Sequence, residues 1–282
     1  MTHYLFIHGW ATDSAVWNET AKAVAGADYL NINLPGHGGK GSWDAPTFAP
    51  ALRELTVRLK DLPQRSVVAI GWSLGAQILL AAIKEGAQFR GLVLVSATPR
   101  FTRSADWTHG QSKGVVRRMI QDMKKAPARG ATPARGATPA RGATPDNTLK
   151  RFYELNFTPD ELATPEAAAF INRYKYPGPI ECSNGMDGRP PGCFPAFNYV
   201  GITAALEALY QEDLRDSLGA VKCPCLIVHG DKDAVCSVDA GRFLAENIKG
   251  ARLEIFKESG HAPFLTQSAR FTRLVKEFAE TL

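Results

Sequence analysis

Apolar residues along the chain alternate between two textures. Short, largely apolar runs at 4–7, 29–34, 66–70, 91–96, 225–230 and 253–256 read as strands, and the unbroken run at 4–7 is that of a strand covered on both faces. Between them, apolar positions recur every three or four residues. Leu52, Leu55, Leu59 and Leu62 mark one face of a helix predicted over 47–62, and Thr12 or Asp13 can cap another that runs past Trp17 to Ala25. Residues 76–84 read as a buried helix and 268–282 as a closing one. Strands alternating with helices predict an α/β fold built on a mostly parallel, doubly wound sheet.

After Pro99 the texture changes. Val115, Val116, Met119, Ile120 and Met123 form an apolar helix face, and further helices are predicted over 149–155 and from Thr164-Pro165-Glu166 to Tyr174. Between them Pro-Ala-Arg-Gly-Ala-Thr occurs three times in tandem, from 127 to 144. That segment has no large apolar residue, and proline and glycine in every copy forbid a stable helix, so a flexible exposed loop is expected. Residues 177–198 read as a Pro/Gly-rich excursion, and a helix resumes over 202–218. The predicted organisation is a core domain of 1–99 and 201–282 with a helical lid, 100–200, inserted into it.

Composition adds limits. A chain of 282 residues that is 45% hydrophobic can bury a large single core. No apolar run approaches the ~20 residues of a membrane span, and the first residues lack the basic start and long apolar stretch of a secretory signal. Five cysteines with irregular spacing do not make a disulfide framework, so a reduced, cytoplasmic protein is expected; Cys182 and Cys193 bracket a turn-rich stretch and could bridge under oxidation. The chain carries a net +5, but Lys113 to Arg151 holds ten basic residues against two acidic ones, a net +8 that leaves −3 elsewhere. Such a segment suits an acidic partner or substrate, and equally a solvated charged face. Without aromatic interleaving or a binding motif, it does not suit nucleic acid.

The chemistry centres on Gly71-Trp72-Ser73-Leu74-Gly75, which lies between a predicted strand and a predicted helix. G-x-S-x-G in that context is a nucleophile elbow, a turn so tight that side chains two residues either side of the serine would clash. A serine hydroxyl needs a base, and the base an orienting carboxylate. Asp231 and Asp233 follow the fifth strand; Asp233 is the choice for the acid, Asp231 for shaping the turn. His261, the only histidine after them, follows the sixth strand and is the candidate base. Backbone N–H donors for an oxyanion are expected from Leu74 and, after His8-Gly9, from Trp10, whose indole could also floor an acyl pocket. Core packing is the competing role for Trp10 and Trp72. His8 and His229 sit at strand ends, where they can bond nearby loops. No histidine spacing supports a metal site, and no cofactor is implied.

His8-Gly9-Trp10, Leu34-Pro35-Gly36-His37-Gly38, the elbow, Asp233 and His261-Ala262-Pro263-Phe264 together resemble the pimeloyl-[acyl-carrier protein] methyl ester esterases of biotin synthesis, within the α/β-hydrolase superfamily. The resemblance implies an α/β-hydrolase fold and a Ser73–His261–Asp233 triad. It also covers Arg151-Phe152-Tyr153-Glu154-Leu155-Asn156, similar to a family segment that lines the substrate channel. By that match Phe152 and Leu155 carry over as substrate-binding residues with Trp10, Ser73, Leu74 and His261; Tyr153, Glu154 and Asn156 follow by position. It further implies an acyl carrier protein as partner, docked on lid arginines, and a monomer is expected. The chain departs from the pattern in lacking a preceding N-terminal hairpin, in Asn33 where aspartate is common, and in the repeat and the excursion between Cys182 and Cys193. A broad short-chain carboxylesterase, a lyase of menaquinone synthesis and a non-catalytic receptor on the same fold are the competing readings.

Overall fold

The structure, a computed structural model, describes residues 2–26, 28–63, 65–125, 144–174 and 198–282. Of the tandem repeat only Thr144 is among them, and the expected excursion up to residue 197, with Cys182 and Cys193, lies outside.

Six strands form one sheet: β1 (His3–Ile7), β2 (Tyr29–Ile32), β3 (Val67–Trp72), β4 (Gly91–Val95), β5 (Cys225–Gly230) and β6 (Arg252–Phe256). Their order is β2-β1-β3-β4-β5-β6, with every neighbouring pair parallel. β3, β4 and β5 are buried at every position, as their unbroken apolar runs require, whereas edge strand β6 opens with an exposed Arg252. Helices α1 (Asn18–Ala25), α2 (Ala49–Leu59) and α3 (Leu74–Lys84) connect the first strands. Asp13 is the cap used, accepting from Ala15 N–H ahead of a 3-10 turn, Ser14–Trp17, that leads into α1.

Beyond β4 come α4 (Lys113–Met123), α5 (Pro145–Glu154), α6 (Pro165–Tyr174) and α7 (Tyr199–Gln211). On α4 Val116, Ile120 and Met123 are buried, but Val115 is 54% exposed and does not join their face. The helix expected over 202–218 stops at Gln211. Glu212 is extended, and the Asp213 carboxylate accepts from the Arg215 backbone and from the Arg100 guanidinium, drawing the chain out of helical geometry before a 3-10 turn, Arg215–Ala220. Between β5 and β6 lies α8 (Val238–Asn247), which the periodicity did not predict, and after β6 come α9 (Pro263–Thr266) and the closing α10 (Ser268–Glu280). Among the described residues no helix is long and apolar enough to cross a membrane.

Candidate active site

The strand order reverses beside β1: β2 lies on one side of it and β3 on the other. In open parallel sheets the crevice beyond the carboxyl ends of two such strands is where ligands bind. The elbow leaves β3 there and the His8-Gly9-Trp10 loop leaves β1.

Ser73 adopts φ +53°, ψ −111° and is 8% exposed, a conformation that non-glycine residues rarely hold. Its N–H donates to Val95 O at 2.9 Å and its carbonyl accepts from Ala76 N–H, so the strained turn is pinned at both ends. The flanking glycines are obligatory. A Cβ on Gly75 would lie 2.3 Å from Ile7 O, and one on Gly71 2.6 Å from the Gly75 carbonyl carbon.

In the β1 loop, His8 Nδ1–H donates to Gly9 O at 2.8 Å and Nε2 accepts from Leu34 N–H at 3.0 Å, a bridge that needs a neutral ring. Burial pushes its pKa down to about 4. Trp10 Nε1–H donates to Ile202 O on α7, and its ring meets Phe152 edge-on at 4.8 Å. Among the described residues nothing accepts from the backbone N–H of Trp10 or Leu74, as an oxyanion site requires.

Asp233 and His261 come together at the ends of β5 and β6: His261 Nδ1–H donates to Asp233 Oδ2 at 2.7 Å. Asp233 Oδ1 accepts from Val235 N–H and Cys236 N–H, both at 2.8 Å, and His229 Nε2 lies 3.3 Å from Oδ2. Burial opposes its charge, but the His261 imidazole and the hydrogen bonds from His229 and His261 outweigh it and hold the carboxyl well below the usual range. Asp231 instead donates its N–H to Phe256 O within the turn. His261 Nε2, opposite the Asp233 bond, is buried and has no hydrogen-bond partner among the described residues. Trp72, immediately before Ser73, donates its indole N–H to His261 O at 2.8 Å and so joins elbow to base.

A sequence model of the alpha/beta hydrolase family matches residues 4–274. The chain belongs to that family. This α/β hydrolase is 30% identical over 270 residues to the pimeloyl-[acyl-carrier protein] methyl ester esterase of Nitrosomonas europaea, covering 95% of this chain and 91% of that one. To the protein of the same name from Chromobacterium violaceum it is 29% identical over 280 residues, 98% of this chain and 94% of that one. The resemblance read from its motifs therefore holds. Solved structures with the same fold include an esterase from Exiguobacterium antarcticum, TM-score 0.77 at 23% identity over 99% of this chain and 92% of that one. MenH from S. aureus superposes with TM-score 0.76 at 18% identity, over 99% and 94%.

The α/β hydrolase places the segment 152–156 unevenly. Phe152 packs on Trp10 and is 7% exposed, and Leu155 is 51% exposed. Tyr153 is fully buried, its hydroxyl donating to Ala11 O at 2.8 Å; Asn156 is equally buried, its amide bonded to Phe152 O and Tyr153 O. Glu154 lies 3.8 Å from Lys150. Of the basic residues between 113 and 151, Arg118 and Lys125 share Asp122, Lys124 pairs with Glu207 at 2.6 Å, and Lys113 and Arg151 are exposed without an ion pair among the described residues. Glu161 escaped sequence reasoning. It is a buried carboxylate bonded to the base loop, and its one sequence signal, a Thr158-x-x-Glu161 spacing, reads as a helix-start device.

Proposed function

We propose that the chain is a serine carboxylesterase that hydrolyses the methyl ester of pimeloyl-acyl carrier protein in biotin synthesis. The reading is carried by one observation: a buried His261 whose Nδ1–H is held by an ionised Asp233 and whose Nε2 is left open, at the sheet end where the elbow presents Ser73. The names of the relatives support the substrate.

His261 Nε2 takes the Ser73 proton as Oγ attacks the ester carbonyl. The N–H groups of Trp10 and Leu74 receive the oxyanion, and Asp233 steadies the imidazolium. The imidazolium then protonates departing methanol, and a water activated by the same Nε2 hydrolyses the acyl-enzyme. Trp10 and Phe152 form the apolar wall for the acyl chain, with Leu155 towards the entrance. Core 1–99 and 201–282 carries the chemistry and lid 100–200 the selectivity. Lys113, Lys150 and Arg151 offer the acidic carrier a docking face, and the protein acts as a cytoplasmic monomer.

The test is kcat/KM on the carrier-bound methyl ester beside p-nitrophenyl butyrate, in wild type and Ser73→Ala, over a salt series. The reading expects preference for the carrier-bound ester that fades with salt, and no turnover by Ser73→Ala. Turnover of the small ester alone would move the chain to general esterases; undiminished turnover by Ser73→Ala would end the serine mechanism.

A further inference from the structure

The turn between α5 and α6 is built into the loop that carries the base. Asn156 O accepts the His261 N–H at 2.8 Å. Five residues on, the Glu161 carboxylate, 7% exposed, accepts four hydrogen bonds. Oε2 takes the N–H groups of Thr158 and Gly260, both at 2.9 Å; Oε1 takes the hydroxyls of Ser259 at 3.1 Å and Thr266 at 2.6 Å. Three of these donors belong to the segment that holds His261 and to α9 just after it. Gly260 has no room for a side chain, because a Cβ would sit 2.6 Å from Asn156 O and 2.9 Å from Glu161 Oε2.

A local role does not account for this arrangement. Thr158 and Glu161 do form a reciprocal capping pair, with Glu161 N–H donating to Thr158 Oγ1 at 3.1 Å, but glutamine serves that pair equally well. A carboxylate is acceptor-only, and here both oxygens face donors from two segments about a hundred residues apart, under burial that makes every unmet donor costly.

We propose that Glu161 is a positioning residue for the base: it clamps Ser259-Gly260 so that the His261 imidazole keeps its place between Asp233 and the elbow serine. The lid turn thereby becomes part of the catalytic frame. The proposal rests on the serine-esterase reading for its kinetic consequence, though not for its structural one.

The experiment compares wild type, Glu161→Ala, Glu161→Gln and Thr266→Val. In Glu161→Ala, kcat on p-nitrophenyl butyrate falls on the order of 10- to 100-fold while KM holds within about twofold. Glu161→Gln recovers much of the loss, since its oxygen can face the two N–H groups while the hydroxyls turn to accept from its amide. Thr266→Val, which removes one bond, gives a smaller loss in kcat and stands in should Glu161→Ala fail to fold. Amide exchange at Gly260 and His261, read by mass spectrometry, speeds up in each impaired variant. A folded Glu161→Ala with wild-type kcat, or a Thr266→Val with unchanged exchange and kcat, overturns the proposal. If wild type itself turns over no ester, the esterase reading fails, and unchanged exchange in the variants is then the result that overturns the clamp.

Discussion

Trp72 is the side chain on which three loops converge. It precedes Ser73, the proposed nucleophile, bonds the His261 carbonyl, and lies against Gly9, where a Cβ would come within 2.9 Å of its ring. Trp72→Phe keeps most of the volume and orphans a buried carbonyl, so a loss of ~1–2 kcal/mol is expected in urea unfolding. With the base loop less fixed, kcat should drop on the order of tenfold, read by steady-state kinetics. Asp233→Asn should cost far more, roughly 10⁴-fold in kcat, with folding intact by circular dichroism. Ser73, Asp233 and His261 could be picked out as candidates because the elbow glycines flank the serine directly and the other two each follow closely on a strand. The indole bond spans 189 residues and the Glu161 clamp 98 or more, and no window of sequence contains both partners.

At the scale of elements, α5 and α6 behave as a fixed wall over the site. Tyr153 on α5 bonds Ala11 O, while Tyr174 and Arg173 at the end of α6 reach Asp13, at 2.8 and 3.3 Å. The wall therefore grips the loop after β1 at two places as well as the base loop. Tyr153→Phe removes one grip and leaves Ala11 O unsatisfied. About 1 kcal/mol of stability should go, and kcat should fall with little change in KM; equal loss in KM would place Tyr153 in substrate binding instead. The central strands β3, β4 and β5 were easy to read because burial on both faces leaves almost every position apolar. Helix limits were harder. The early end of α7 comes from Asp213 meeting an arginine from a distant segment, and α8 announces itself by little more than the Ser237 cap.

The whole molecule has a pH dependence set away from the proposed triad. His8 and His37, with rings 5.2 Å apart, are fully buried, and burial first, then the charge of His8 on His37, pushes their pKa values down to about 4 and about 3. An unfolded chain takes up a proton on each near the ordinary value of 6.5, whereas the folded one does not until much lower. Stability is therefore full above about pH 6.5 and is lost as pH falls towards 4, with His8 alone accounting for on the order of 3 kcal/mol. Thermal melts between pH 7.5 and 4.5 should show a falling Tm; a flat profile would mean that the folded pair takes up protons near the ordinary value, as the unfolded chain does.

One detail at the start of α5 bears on how this gene can vary. Thr144, the last residue of the tandem repeat, caps the helix by accepting from Asn147 N–H, and Pro145 opens it. Every copy ends in threonine and is followed by proline. Replication slippage that drops or duplicates one copy in frame hands α5 the same Thr-Pro junction, whereas loss of all three would put Ala126 in the capping place. Copy number can drift without the helix registering it, until the last copy goes.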